Sequence, residues 1–336
     1  MRKNKIRALI NSKVSLLLMI MVVVIAVFYI MRQSYLSSNN ILIMLKNASI
    51  TGILGIGVGL LLISGEVDLS TSAVSVISSV FVAMLLSAGL PWPLAVLITF
   101  CFGAASGLIT SFLVKKLNMM SFIATIGMSS IWAGLALVIT RSNPIKFKND
   151  SFLKIGSTAF GVSADKKILP LMFIILVVLI IVYGLMLSNT KFGRSMYMCG
   201  GNRNAARLAG ISPKRVHTIL FINSGLMSSL CGVMIATNFR KGDPTPRTEG
   251  LDAITAAVLG GIAFTGGTGG TGGLLAGLML ITFFNNGIIA VGLKSYWQIF
   301  ARGTLLILAL MFDFYRENRR LKMLRAGAAE AAASKR

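Results

Sequence analysis

LSTSAVSVISSVFVAMLLSAGLPWPLAVLITFCFGAASGLITSFLV, residues 69–114, runs for 46 residues without a charge. A helix needs about 20 apolar residues to cross the hydrocarbon core of a bilayer, so this run is too long for one crossing. Its middle, Gly89-Leu90-Pro91-Trp92-Pro93, supplies the break. Two prolines stop a helix there, and a tryptophan suits a membrane–water interface. The stretch therefore reads as two membrane helices joined by a short turn.

Similar uncharged runs occupy 14–31, 48–65, 117–140, 168–190 and 253–293, and 216–238 carries only His217. The run 253–293 divides at the glycine cluster 266–273, and 295–312 is apolar except for Arg302. The total is ten spans, or eight with two re-entrant pieces, and either count makes the chain an all-α, polytopic integral membrane protein. Composition agrees, with 55% hydrophobic and 13% charged residues where soluble domains run near a quarter charged.

The net charge is +23, but the basic residues gather in short segments between the apolar runs. That pattern orients a membrane protein and is not the basic face of a nucleic-acid binder. Arg2, Lys3, Lys5, Arg7 and Lys13 precede the first run, which is longer than a signal peptide's apolar region and lacks a small-x-small cleavage site. It reads as a retained first span. With that N-terminus cytoplasmic, ten alternating spans put Lys115-Lys116, the loop 191–215 and the tail with Arg316, Arg319, Arg320, Lys322 and Arg325 inside, as the positive-inside rule asks. The loop 141–167 falls outside although it too is basic, with Asp150 and Asp165 offsetting part of its charge. Both termini are expected in the cytoplasm. A single transmembrane domain is expected over 1–320, with a low-complexity cytoplasmic tail over 321–336. Cys101, Cys199 and Cys231 show no C-x-x-C spacing, so no metal or disulfide framework is expected.

Asp68-Leu69-Ser70-Thr71-Ser72-Ala73-Val74 can be laid over Asp252-Ala253-Ile254-Thr255-Ala256-Ala257-Val258, and each copy precedes a Gly-x-x-x-Gly helix (Gly103 and Gly107; Gly273 and Gly277). The two copies would run in opposite senses, as in an inverted repeat of spans 2–5 and 7–10. The plainer reading is that each Asp caps a helix. Gly267-Thr268-Gly269-Gly270-Thr271-Gly272 matches G-x-G-x-x-G. It follows no predicted strand, and no acid lies between Asp252 and Asp313, so dinucleotide binding is excluded. No G-x-x-x-x-G-K-[ST] occurs, so the chain is not expected to bind ATP itself. Gly52, Gly55, Gly57, Gly59, Gly269, Gly273 and Gly277 read as positions where helix backbones approach closely.

In the loop 191–215, Asn202 is placed to cap a short helix ending at Gly210, with Pro213 opening the next one. Ala205, Leu208 and Ala209 share a face that could dock on a cytoplasmic partner; the alternative is an ordinary interfacial helix. Within the spans, Ser70, Thr71, Ser75, Ser78, Asn223, Asn285, Asn286 and Gln298 are polar groups that lipid disfavours. Uncharged donors and acceptors suit a neutral, hydroxyl-rich solute, while any single Ser or Thr serves equally in helix–helix hydrogen bonding. Asp68, Ser70, Asn285, Asn286 and Gln298 are the candidate pathway residues. Arg302 reads as snorkelling, His217 as structural, and Asp313 as the cytoplasmic end of the last span. No catalytic or metal-ligating set is present, so no enzyme activity is expected.

Three stretches resemble permease subunits of bacterial sugar ABC importers of the ribose, xylose, galactose and autoinducer-2 type. They are Gly65-Glu66-Val67-Asp68-Leu69-Ser70; Gly193-Arg194 with Gly200-Gly201-Asn202-x-x-Ala205-Ala206-Arg207-Leu208-Ala209-Gly210-Ile211; and Leu251-Asp252-Ala253-Ile254-x-Ala256-Ala257-Val258-Leu259-Gly260-Gly261, leading to Asn285-Asn286-Gly287. The resemblance implies a permease dimer (with a second copy or a paralogue) in a bacterial cell membrane, importing a ribose-type sugar. A cytoplasmic ABC ATPase carrying ATP and Mg would dock around Asn202–Gly210, and an extracytoplasmic binding protein would deliver the solute. The chain itself would bind no cofactor and no nucleic acid. Gly200, Gly201, Asn202, Ala205, Arg207, Leu208, Gly210 and Ile211 would form the ATPase-coupling loop. Two departures, Thr71-Ser72 in place of Val-Gly and the richer glycine cluster 266–273, lie near the pathway and leave the sugar open. Related permeases carry nucleosides or branched-chain amino acids. An ion-coupled secondary transporter is the competing class, and it would want acidic residues along the path.

Overall fold

Lys13–Met31 (α1) leads through a 3-10 turn, Gln33–Leu36, into Ser38–Ile63 (α2), followed by Thr71–Ser87 (α3), Trp92–Lys115 (α4) and Ser121–Thr140 (α5). Strand Ile145–Lys146 (β1), helix Asp150–Ser157 (α6) and the hairpin Ala159–Ser163 (β2) and Lys166–Pro170 (β3) precede Leu171–Asn189 (α7). Lys191–Gly201 (α8) and Arg203–Leu208 (α9) come before Pro213–Phe239 (α10), strand Lys241–Gly242 (β4), Glu249–Leu259 (α11) and Thr271–Ala290 (α12). The structure, a computed structural model, describes residues 13–163, 166–294, 296–301, 303–304, 307–308, 311 and 314–315. The basic residues ahead of Lys13, Asp165, Arg302, Asp313 and the tail 316–336 lie outside the described residues, and with them part of the tenth span.

The break read at 89–93 is where α3 gives way to α4. Gly89 turns the chain with φ +86°, Pro91 is extended, and Pro93 sits in the first turn of α4, where its missing N–H costs nothing.

The axis of the fold is the pair α2 and α10, the two long helices with most of their length buried. Their contacts run in opposite order: His217 lies at Ser64, Ser224 at Gly57, and Cys231 at Ile50. They are therefore antiparallel. α10 packs on α3 and α4, while α2 packs on α11 and α12, and each of those pairs is itself in contact. Every helix of one trio thus has a counterpart in the other, running the opposite way. Over spans 2–4 and 7–9, this is the inverted arrangement anticipated from Asp68 and Asp252.

Among the described residues, six helices (α2, α4, α5, α7, α10, α12) are long and apolar enough to cross a membrane, and α3 and the stretch Leu17–Met31 are shorter apolar helices. The eighth of the ten expected spans is not a full-length helix. α11 has 11 residues, about 16 Å of helix against a core of roughly 30 Å. It is short at both ends for a reason. Pro244 and Pro246 keep the preceding chain out of a helix, and after Leu259 the backbone takes positive φ at Gly261, Gly266, Gly267 and Gly269. The crossing is made by a non-helical segment plus half a helix. The first trio does the same with 64–70 and α3, since Asp68 returns to the level of Ser224, about 10 Å inside the level of His217. The N-terminal ends of α3 and α11 meet there, with the Gly250 N–H donating to Ser72 Oγ at 2.6 Å.

The capping expectation also needs correction. Ser70 and Thr248 occupy the N-cap positions of α3 and α11, and Asp252 lies inside α11. Asp68 is held by Ser70 and, across to α10, by the Ser224 hydroxyl, and Asp252 is 4% exposed within α11.

Candidate functional site

The loop after α2, the end of α8 and the glycine cluster between α11 and α12 converge on the face that carries α8 and α9. The Ile63 carbonyl at the end of α2 accepts the Gly267 N–H at 2.8 Å. A Cβ on Gly200, near the end of α8, would lie 2.0 Å from that same carbonyl and 2.5 Å from the Gly267 nitrogen. A Cβ on Gly266 would lie 2.9 Å from the Gly65 Cα. The loop after α2, the end of α8 and the loop between α11 and α12 are thus in backbone contact, at a distance only glycine permits.

Beside this junction, Glu66 is 4% exposed and is bound from three elements. Lys115 at the end of α4 donates to Glu66 Oε1. Arg203 Nη2, from the first residue of α9, donates to Oε1 at 2.8 Å and to the Gly65 carbonyl at 2.9 Å. His217 of α10 places Nδ1 3.4 Å from Oε1 and Nε2 3.1 Å from the Ser64 carbonyl. Burial alone would raise the Glu66 pKa. The Lys115 charge and the hydrogen bonds from Lys115 and Ser121 outweigh it and hold the carboxyl below its ordinary value.

α9 has the form its sequence predicts. Asn202 Oδ1 accepts the N–H groups of Asn204 and Ala205, both at 3.0 Å. Gly210 ends the turn at φ +78°, and the Ile211 N–H returns to the Ala206 carbonyl at 3.0 Å, so the last carbonyls are met. Ala206 is buried, while Gly201, Asn202, Ala205, Arg207 and Gly210 are exposed. Leu208 is 91% exposed. A leucine so exposed on a helix anchored at both ends is a ready contact for another protein. Ile211 is half-buried against the core.

The proposed pathway residues separate into two groups. Asp68 and Ser70 form a buried knot: Asp68 Oδ1 accepts the Ser70 N–H at 2.9 Å and its hydroxyl at 2.6 Å, and Oδ2 accepts the Ser224 hydroxyl at 2.7 Å. This knot ties the start of α3 to the middle of α10 and lines no described cavity. Asn285, Asn286 and Gln298 instead line one cavity of about 210 Å³, together with Asn47, Thr51, Asp252 and Thr282. It lies between α2, the head of α11 and the later half of α12, away from the α9 face. Its charged rim is a pair, Arg247 Nε to Glu249 Oε1 at 2.8 Å. Asn286 is committed to a reciprocal amide pair with Asn40 at 2.9 and 3.1 Å. Of the other polar span residues, Ser75 bonds the Ser72 carbonyl and Asn223 accepts from Tyr183, which are helix-packing roles.

Sequence reasoning passed over Glu66 as a charge centre, with Lys115 and Arg203 as its partners. Glu66 was visible only as part of a motif, and nothing local to it signals two cations 49 and 137 residues away. Asn40, Asn47 and Thr51 were missed because they sit at the edge of an apolar run or look like ordinary helix polars.

The family described as the branched-chain amino acid transport system permease component matches residues 40–310. The chain is 33% identical to the ribose import permease protein RbsC of Bacillus subtilis, over 84% of this chain and 87% of the relative. It is 31% identical to the L-arabinose ABC transporter permease protein AraH of Azospirillum brasilense, over 86% and 84%. With the autoinducer 2 import system permease protein LsrC of Photorhabdus luminescens the identity is 29%, over 83% of each. No solved structure matches.

Proposed function

The chain belongs to this family of ABC-importer permease components, and from that premise we propose that it carries a ribose-type monosaccharide inward across the bacterial cell membrane. It is a multi-pass membrane transport subunit. In our reading it forms one domain over 1–320, works as a dimer with a second permease and keeps both termini in the cytoplasm. A separate cytoplasmic ATPase hydrolyses ATP and docks on α9 through Ala205, Arg207 and Leu208. An extracytoplasmic binding protein delivers solute to the opposite face, where the cavity of Asn285, Asn286 and Gln298 lies.

One observation supports the reading: the glycine junction joins the end of α8, directly before α9, by backbone contact to the loops that follow α2 and α11. A displacement of α9 would reach them through the short link at Asn202 and the Arg203 bonds to Gly65 and Glu66, since close-packed interiors transmit strain. Those loops lead to α3 and α12, and the heads of α3 and α11 meet at mid-depth. ATP binding on the partner would favour one arrangement of these half-helices only by interacting differently with the two. The cavity's amides and hydroxyls match the alternating donors and acceptors of a sugar, and its one cation among the described lining residues, Arg247, is paired with Glu249 rather than offered to an amino-acid carboxylate.

The test is uptake by vesicles containing the chain with its ATPase and binding protein. Labelled ribose should accumulate with ATP and not without it, and leucine and uridine should not compete. Competition by leucine or uridine would move the solute to the amino-acid or nucleoside class. Accumulation driven by an ion gradient, with no ATPase present, would favour a secondary transporter.

A further inference from the structure

We propose that the cavity beside α9 is a binding site for the phosphate of an anionic phospholipid headgroup. The cavity, about 380 Å³, lies between the turn joining α4 to α5, helix α9 and the head of α10. Lys115, Arg203, Arg207 and Lys214 line it, with Asn118 and Ser121 as neutral donors. Glu66 is the one carboxylate among the lining residues, and it is engaged by Lys115 and Arg203. Arg207 and Lys214 form no ion pair among the described residues. Four cations against one anion leave a concentrated positive charge.

Two further features face the same space. Helices α5 and α10 both begin there without a side-chain cap, at Met120 and Ser212, so the positive ends of two helices of 20 and 27 residues add to the side-chain charge. The other wall is apolar. Met119 and Met120 line the cavity, and Leu117, Phe122 and Ile123 are exposed next to it, with Met120 itself 70% exposed. Basic pockets at the ends of membrane helices suit lipid phosphates. A charged floor merging with a lipid-facing apolar wall matches a headgroup with its acyl chains better than a free anion. A headgroup held here would bridge Arg207 of α9 to Lys214 of α10 and so steady the element that receives the ATPase. The inference rests on membrane embedding and on α9, and is independent of the solute.

Native mass spectrometry of the full-length chain, released from nanodiscs of mixed phosphatidylglycerol and phosphatidylcholine, tests it. Wild type should retain one phosphatidylglycerol per chain in clear preference to phosphatidylcholine. Lys214→Gln and Arg207→Gln should each lower that occupancy about 5-fold, since one basic residue near an anionic headgroup contributes about 1 kcal/mol. Lys214→Arg should restore it, and a thermal melt of each variant matching wild type excludes misfolding as the cause. Equal retention of both lipids, or occupancy unchanged in both Gln variants, would overturn the proposal. Displacement by excess inorganic phosphate would make this a free-phosphate site. Displacement by the ATPase subunit would assign the cavity to an acidic group of that protein. Either result also overturns the lipid assignment.

Discussion

Glu66 shows how much can depend on one carboxylate in a membrane protein. Among the described residues it is the only acid paired with Lys115, Arg203 and His217, and Lys115 is itself largely buried, with its side chain 13% exposed. Glu66→Gln keeps the shape and removes the charge, leaving the Lys115 ammonium uncompensated. Breaking one side of a buried pair costs about 3 kcal/mol, and the half-exposed Arg203 adds little because water screens it. The variant should therefore melt well below wild type at neutral pH. The pH dependence has a definite sign. The folded-state pKa of Glu66 is depressed, so its stabilisation is complete above the ordinary carboxylate value and is lost as pH falls through the depressed one. The gap in melting temperature between wild type and Glu66→Gln should close in acid. A gap that stayed constant down to that range would show that shape, not charge, makes this residue matter.

Helices here pack through glycine, and the crossing of α4 with α10 is among the tightest instances. A Cβ on Gly225 would lie 2.0 Å from the Gly103 carbonyl, and one on Gly103 would lie 2.5 Å from the Gly225 carbonyl. These neighbours are backbone and cannot rotate away. Gly225→Ala should destabilise by about 1–3 kcal/mol through overpacking. Gly127→Ala on α5, where nothing lies within 4 Å, should leave the melting temperature unchanged or slightly raised. If both variants melted like wild type, the crossing would be looser than its geometry indicates. Helix α9 makes a different demand, since Gly210 has φ +78° with nothing within 4 Å. An alanine there is strained by conformation alone, costing about 1 kcal/mol, enough to fray a helix of 6 residues without unfolding the spans. Gly210→Ala, and separately Arg207→Ala on its exposed face, should leave the protein in the membrane with ATPase activity no longer matched by uptake. Normal transport by both would remove α9 from the coupling route.

At the scale of the molecule, the all-α membrane class, the break at Pro91–Pro93, the capped helix at Asn202 and the order of the apolar segments were all legible, because each rests on local chemistry within about 20 residues. The half-length of α11 was not. Its composition is as apolar as a span's, and only the non-helical segment 243–248, with Pro244 and Pro246, shows where it starts. Nor was the split of the pathway residues between the Asp68 knot and the Asn285 cavity, since that depends on which helices cross. The inverted repeat could be suspected from Asp68 and Asp252 but needed the antiparallel contact of α2 and α10. Antiparallel trios have a consequence for sidedness: α9 and the β1–β4 pair, which joins Lys146 to Lys241, must lie on opposite faces. The loop 141–167 is basic, so charge alone argues weakly for its being outside, whereas the fold requires it to lie opposite α9. In a background with Cys101 replaced by Ser and the buried Cys199 and Cys231 retained, Leu208→Cys and Lys148→Cys offer one reporter on each face. A membrane-impermeant maleimide should label Lys148→Cys in intact spheroplasts and Leu208→Cys only in inverted vesicles. Labelling of both from the same side would break the antiparallel arrangement. Labelling with the sides exchanged would keep the fold and reverse its orientation, moving α9 away from any cytoplasmic ATPase.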